Sequence, residues 1–256
     1  MQKWLNDLYA IILKQGFNPG SGGGSGGDSG GGSGGDSGVL TGKYLGDNYT
    51  TEQKQVIANG TFEGLNIGDY WTINGINWRI ADFDYYYNVG STPFTKHHVI
   101  IIPDTILYEA RMSDTNNVCY SESRLYQIGM ASARVAFDNA FGDSFIPTHK
   151  GLYSNTVSDG VPSGWSWKDM RIELMNEVQL YGHGLWTQNA YDVGTQKTQF
   201  RLFSLDKTKI NIGVAYWLTS VKSSSEFTCI NRSGEPSYAL NSKSYGVRPF
   251  ACLCGD

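Results

Sequence analysis

The side chains of this sequence that are suited to covalent or metal chemistry are few and poorly grouped. The histidines are His97, His98, His149 and His183. His97 and His98 open a β-branched run, and neighbouring strand residues face opposite ways, so the two cannot hold one metal ion. The cysteines are Cys119, Cys229, Cys252 and Cys254. They lie far apart or as C-x-C, without the C-x-x-C spacing of a zinc ribbon. Cys252 and Cys254 share a strand face and are poor partners for each other. The thiols are expected free and buried, with a Cys229–Cys252 bridge open only if their strands pair. Asp82 and Asp84 share a strand face, and Glu173 and Glu177 a helix face. A glycosidase pair needs its carboxyls about 5–10 Å apart across a cleft, which spacing along the chain does not establish. No G-x-S-x-G, H-E-x-x-H or strand-to-helix phosphate loop is present. The expectation is a protein that is not an enzyme and carries no cofactor and no metal.

Recognition is the chemistry better represented. Between Trp217 and Gly246 lie Ser223, Ser225, Asn231, Ser233, Glu235, Tyr238, Asn241, Ser244 and Tyr245. Rigid aromatics mixed with small, adaptable hydrogen-bonding groups are the composition of a binding surface. Tyr238 and Tyr245 are the expected stacking residues. Trp217 and Val247 alternate with polar neighbours and are expected in the core. Arg248, before Pro249, is expected to anchor a loop with its forked donors.

These residues need a scaffold, and local signals outline one. Thr50 and Gln53 form a capping box for a helix that runs through Asn59 to Gly60. Asn74-Gly75 sits between two alternating runs, from Tyr70 to Ala81, and predicts a hairpin. His97 to Asp104 is β-branched and ends in proline, the pattern of a central strand. Tyr126, Met130, Ala133, Phe137 and Phe141 are spaced as one helix face, followed by Gly142. A second helix is expected to open at Ser166, with Asp169 as capping partner, and to carry Trp167, Met170, Leu174, Val178 and Tyr181 to Gly182. His183 to Gly213 shows little period and reads as loop. Strands are expected over Ala215 to Thr219, Glu226 to Asn231, Ser237 to Leu240 and Gly246 to Leu253. The fold class is therefore α+β, with short antiparallel strands and two main helices.

Three parts are expected along the chain. Residues 1–16 form a short helix whose Trp4, Leu5, Leu8, Ile11 and Ile12 make an apolar stripe. One lysine, the polar Asn6 and Asp7, and the absence of a small-residue cleavage site argue against a signal peptide. The helix is too short to span a bilayer and marginal alone, so it needs a partner or its own copies, as in a trimer. Residues 17–38 contain the unit GGGSGGDS twice. Such a chain buries nothing and spans about 25 Å on average, so it is a tether. Aspartate at one fixed place in each unit, following GFNPG, marks it as natural rather than engineered. Residues 39–256 form the folded head. The sequence has net charge −4 with 16 Tyr and 7 Trp, and no basic footprint or membrane-length apolar run, so neither nucleic acid nor membrane insertion is expected.

FEGLNIGDYWTINGINWRI near the start of the head, and YWLTSV with NRSGEPSYALNSKSYGVRPFACL at its end, resemble a domain of tailed bacteriophages and of gut Firmicutes carrying their prophages. The match is most specific at Tyr216-Trp217-Leu218 and Gly246-Val247-Arg248-Pro249 and covers roughly residues 39–256. Thr219 stands where that family often has arginine. The resemblance implies a C-type-lectin-like domain on the virion surface. By it, the N-terminal helix docks on a capsid, portal or tail protein, and the head, as a head or tail fibre, binds a host-surface glycan or protein. A structural decoration protein without a ligand is the alternative. Calcium-dependent lectins use a carboxylate–amide pair after E-P. Here Glu235-Pro236 is followed by Ser237, so no calcium is expected.

Overall fold

The computed structural model describes residues 40–159, 161–186 and 198–256. The expected N-terminal helix, the whole tether and part of the 183–213 loop lie outside the described residues. The rest is α+β, as expected, with mostly antiparallel sheets and few helices.

The elements in chain order are helix α1 (Thr51–Ala58), strands β1 (Tyr70–Ile73), β2 (Ile76–Phe83), β3 (His98–Pro103) and β4 (Tyr108–Arg111), and helix α2 (Ala131–Phe141). Then come β5 (His149–Ser154), β6 (Val157–Ser158), β7 (Val161–Pro162), β8 (Trp165–Met170), β9 (Ile172–Leu174), and short helices α3 (Glu177–Tyr181) and α4 (Arg201–Leu205). The chain ends with β10 (Tyr216–Ser223), β11 (Glu226–Ile230), β12 (Pro236–Leu240), β13 (Ser244–Val247) and β14 (Pro249–Cys254).

The local signals are borne out where they are self-contained. Thr50 Oγ1 accepts from Gln53 N–H at 3.3 Å, and Gln53 Oε1 accepts from Thr50 N–H at 3.0 Å, completing the capping box of α1. Gln53 Oε1 also accepts from the buried Trp71 indole at 2.9 Å, so the cap is wired into the core. We expect Thr50→Ala to lower stability by about 1 kcal/mol, read as a shift in urea midpoint. Asn74 and Gly75 both have positive φ, +55° and +74°, which is how a two-residue turn matches strand twist.

Two five-stranded sheets carry the architecture. The first, β1-β2-β3-β14-β9, is antiparallel throughout, and β3 lies at its centre as expected. Against it, Trp71 and Trp78 meet Phe137 and Phe141 of α2 edge-on, at 4.5–5.9 Å between ring centres. The second, β12-β11-β10-β13-β4, is antiparallel except where β10 runs parallel to β13.

The chain crosses between the sheets at Arg248, so the single strand expected from Gly246 to Leu253 is two. Val247 and Trp217 are fully buried. Gly246 has no room for a side chain: a Cβ there would lie 2.2 Å from Ile106 Cγ2 and 2.9 Å from Ala215 O. Arg248 is buried and donates from Nε to Pro103 O and from one terminal nitrogen to Lys209 O, both at 3.0 Å. It is the anchor that the sequence suggested.

The helix expected from Ser166 to Gly182 is not formed. Trp165–Met170 pairs with β5 and Ile172–Leu174 with β14, leaving only Glu177–Tyr181 helical. Its cap is Asn176, not Ser166, whose hydroxyl donates to Asn155. Within the stretch expected to be loop, α4 and a 3-10 turn at Lys207–Ile210 are helical.

Candidate ligand-binding face

The expected binding residues all belong to the second sheet, but the structure separates them. Ser223, Ser225, Asn241 and Ser244 sit at one end, around the β10–β11 turn and the β12–β13 connection. Asn231, Ser233 and Glu235 sit at the other end, in the β11–β12 turn. The five residues of β11 between them span about 17 Å. Several are committed to the fold. Asn241 is buried and donates to Thr115 O at 2.8 Å and to Asn116 Oδ1 at 3.2 Å. Asn231 braces its own turn: Oδ1 accepts from Ser233 N–H and Glu235 N–H, and Nδ2 donates to Glu235 Oε2 at 3.0 Å. Ser223 Oγ donates to Glu226 at 2.9 Å. Ser233 and Ser244 are exposed.

The two tyrosines do not share a face. Tyr245 lies against Trp217, 4.8 Å between ring centres, and Trp217 pairs across the sheet with Cys229 and so with Ser237. Tyr238 follows Ser237 on the strand and therefore points the other way, opposite Thr228. Tyr245 is half-buried; Tyr238 is 41% exposed.

Tyr238 instead meets Trp186, a residue that sequence reading missed. Their ring centres are 5.1 Å apart at 66°, and Trp186 is also 41% exposed. Leu240, two residues further along the same face of β12, is exposed as well. Lys222 Nζ stands 5.5 Å from the centre of the Tyr238 ring. The position of Trp186 is built rather than accidental. The chain leaves α3 through Gly182 in the left-handed conformation. The buried Glu177 carboxylate then accepts backbone N–H from Leu185 and from Trp186, each at 3.0 Å. Tyr181 hydroxyl donates to Gly234 O at 3.1 Å and so ties α3 to the β11–β12 turn. A carboxylate accepting backbone N–H bonds is a strong, oriented brace. The only hint in the sequence was a tryptophan in an aperiodic stretch.

No protein-family model, curated protein or solved structure matches the chain.

The reactive side chains form two further clusters. Cys252 Sγ lies 3.7 Å from His149 Nδ1, and His149 Nε2 lies 2.8 Å from Glu173 Oε1. Nucleophile, base and orienting carboxylate are in the order used by thiol hydrolases. All three are buried, however, and burial pushes the Cys252 thiol well above its ordinary range, against the thiolate that attack requires. The second cluster borders a cavity of about 260 Å³ lined by Gly60, Thr61, Phe62, Phe83, Asp84 and Arg201. His97 Nδ1 bonds Asp84 at 2.7 Å and its ring stacks on Tyr87 at 4.4 Å. Thr61 supplies the hydroxyl of that lining, and it donates to Val56 O. The four cysteines are free, and Cys229 and Cys252 lie in different sheets, so the bridge left open by the sequence does not form. Among the described residues no group of three or more His, Cys, Asp or Glu is placed to hold a metal ion.

Proposed function

We propose that this chain is a tethered recognition protein of the virion-fibre kind. Its C-type-lectin-like head binds a host-surface glycan through the Trp186–Tyr238 face. The N-terminal helix holds it to a capsid, portal or tail protein. One observation carries the reading: Tyr238 on the edge strand β12 and Trp186 on the segment after α3 stand exposed side by side, and a buried carboxylate is committed to keeping Trp186 there. Leaving such rings in water forgoes burial that is favourable by about 25 cal/mol per Å², which a ligand recovers when it covers them. Lys222, at the Tyr238 ring, supplies a polar contact of the kind that orients a sugar. The tether lets several weakly binding heads on one particle search locally, which raises avidity without new contacts.

The test uses the full chain on a glycan array and on host cells. The double variant Trp186→Ala/Tyr238→Ala should lose at least about tenfold in affinity, because central aromatics dominate such contacts. Its urea midpoint should stay close to that of the parent, since both rings are exposed. Unchanged binding by a folded double variant overturns the assignment to this face, and absence of binding by the parent chain favours a decoration protein without a ligand.

A further inference from the structure

The face carries a charge as well as two rings. Lys222 forms no ion pair among the described residues; its ammonium contact is the Tyr238 ring. Of the other half-buried bases, Lys150, Arg171 and Arg201 pair with Asp169, Asp138 and Asp82, while Lys54, Arg134, Lys168 and Lys209, like Lys222, form no ion pair among the described residues. Lys222 belongs to β10, two strands from Tyr238, so its side chain reaches across β11 to place the ammonium at the aromatic pair. Glu226, a carboxylate on the same face, stands opposite Leu240 and accepts from Ser223. Glu226 stands opposite Ser223, the neighbour of Lys222 on β10, yet it forms no ion pair with Lys222, whose ammonium lies at the Tyr238 ring.

We infer that the face selects an anionic sugar residue: a pyranose whose C–H face lies on Trp186 or Tyr238 and whose acid group pairs with Lys222. The inference rests on the recognition reading above. The negative π-face of each ring accepts the weakly positive C–H surface of a sugar. One face of the Tyr238 ring holds the lysine ammonium, which keeps it beside a pyranose stacked on Trp186 or on the other Tyr238 face instead of extended into solvent. An acid group arriving there meets a cation that no protein carboxylate already neutralises.

The experiment presents the full chain with four immobilised probes: sialyllactose, oligogalacturonate, sulfated lactose and neutral lactose. At least one acidic probe should bind about fivefold more tightly than neutral lactose, the scale of an exposed ion pair. Lys222→Ala should abolish that preference, and Lys222→Arg should keep it. Raising salt to about 1 M should erase it too, since charges are then screened within about 3 Å. The carboxylated and sulfated arms identify which acid group pairs with Lys222. Equal binding of all four probes, lost in Trp186→Ala, overturns the anionic preference and leaves the recognition reading standing. If no probe binds and Trp186→Ala leaves cell attachment unchanged, both are overturned.

Discussion

Arg248→Ala should lower the stability of the chain by about 3–5 kcal/mol, the largest effect expected of any single change at the junction of the sheets. The guanidinium is buried, has no carboxylate partner among the described ion pairs, and is compensated by carbonyls. Its acceptors lie on separate segments: Pro103 ends β3, Lys209 lies in the 3-10 turn, and Tyr216 opens β10 with its hydroxyl 3.4 Å away. The rings of Tyr216 and Phe203 stand 5.4 and 5.9 Å from the guanidinium carbon. Truncation therefore leaves a void and orphans carbonyls in the core together. Arg248→Lys keeps the charge but not the fork and should still lose about 2–3 kcal/mol. Urea melts of the three proteins decide it. A lysine variant as stable as the parent would show that charge, not forked geometry, is what the junction uses.

Acid should destabilise the fold by about 3 kcal/mol between pH 6.5 and 4 through His98 alone. His98 is fully buried, and burial holds its pKa down at about 4. The hydrogen bonds give the same answer independently. Tyr86 N–H donates to Nε2 at 3.1 Å, so Nδ1 carries the proton and donates to Lys96 O at 3.0 Å. A second ring proton would point at the Tyr86 N–H. Asp84, 3.8 Å away, favours the charged form, while nearby His149 and His97 oppose it. In the unfolded chain the ring protonates near pH 6.5. Between that value and 4 the unfolded state holds the extra proton, so stability rises with pH through this window and is fully present above it. The ring carbon-bound protons of His98, followed by NMR, should titrate near pH 4. A midpoint near 6.5 would show that the imidazole charges freely in the folded protein. His98→Gln, which can offer an acceptor to Tyr86 and a donor to Lys96, should flatten the stability profile over the same window.

What was legible in the sequence was whatever a few neighbouring residues settle among themselves. A capping box at Thr50 and Gln53 and an Asn74-Gly75 turn each complete their local geometry within one short stretch, whereas the helix face expected from Tyr126 to Phe141 is α-helical only over Ala131–Phe141, after a π turn at Leu125–Gly129. Arg248 was legible for a related reason: a long forked donor before a proline, among apolar strands, has few alternatives to anchoring. Residues 166–182 had spacing equally suited to a helix, yet β8 and β9 formed there. Ladders with β5 and β14, contributed from about twenty and about eighty residues away, place the same apolar side chains and pair one edge of each strand, and no local period reveals that. The exposed aromatic face was decided the same way. Tyr238 and Tyr245 look equivalent along the chain, but cross-strand register turns one to solvent and the other onto Trp217. Trp186 sits in a stretch without period, and only the buried Glu177 carboxylate, reaching its backbone through folded helix α3, places it beside Tyr238. Residue types along the chain determined that this protein would be α+β and rich in aromatic and small hydrogen-bonding side chains. Which aromatics meet, and on which face, followed from strand register and buried polar braces, which exist only once distant segments have come together.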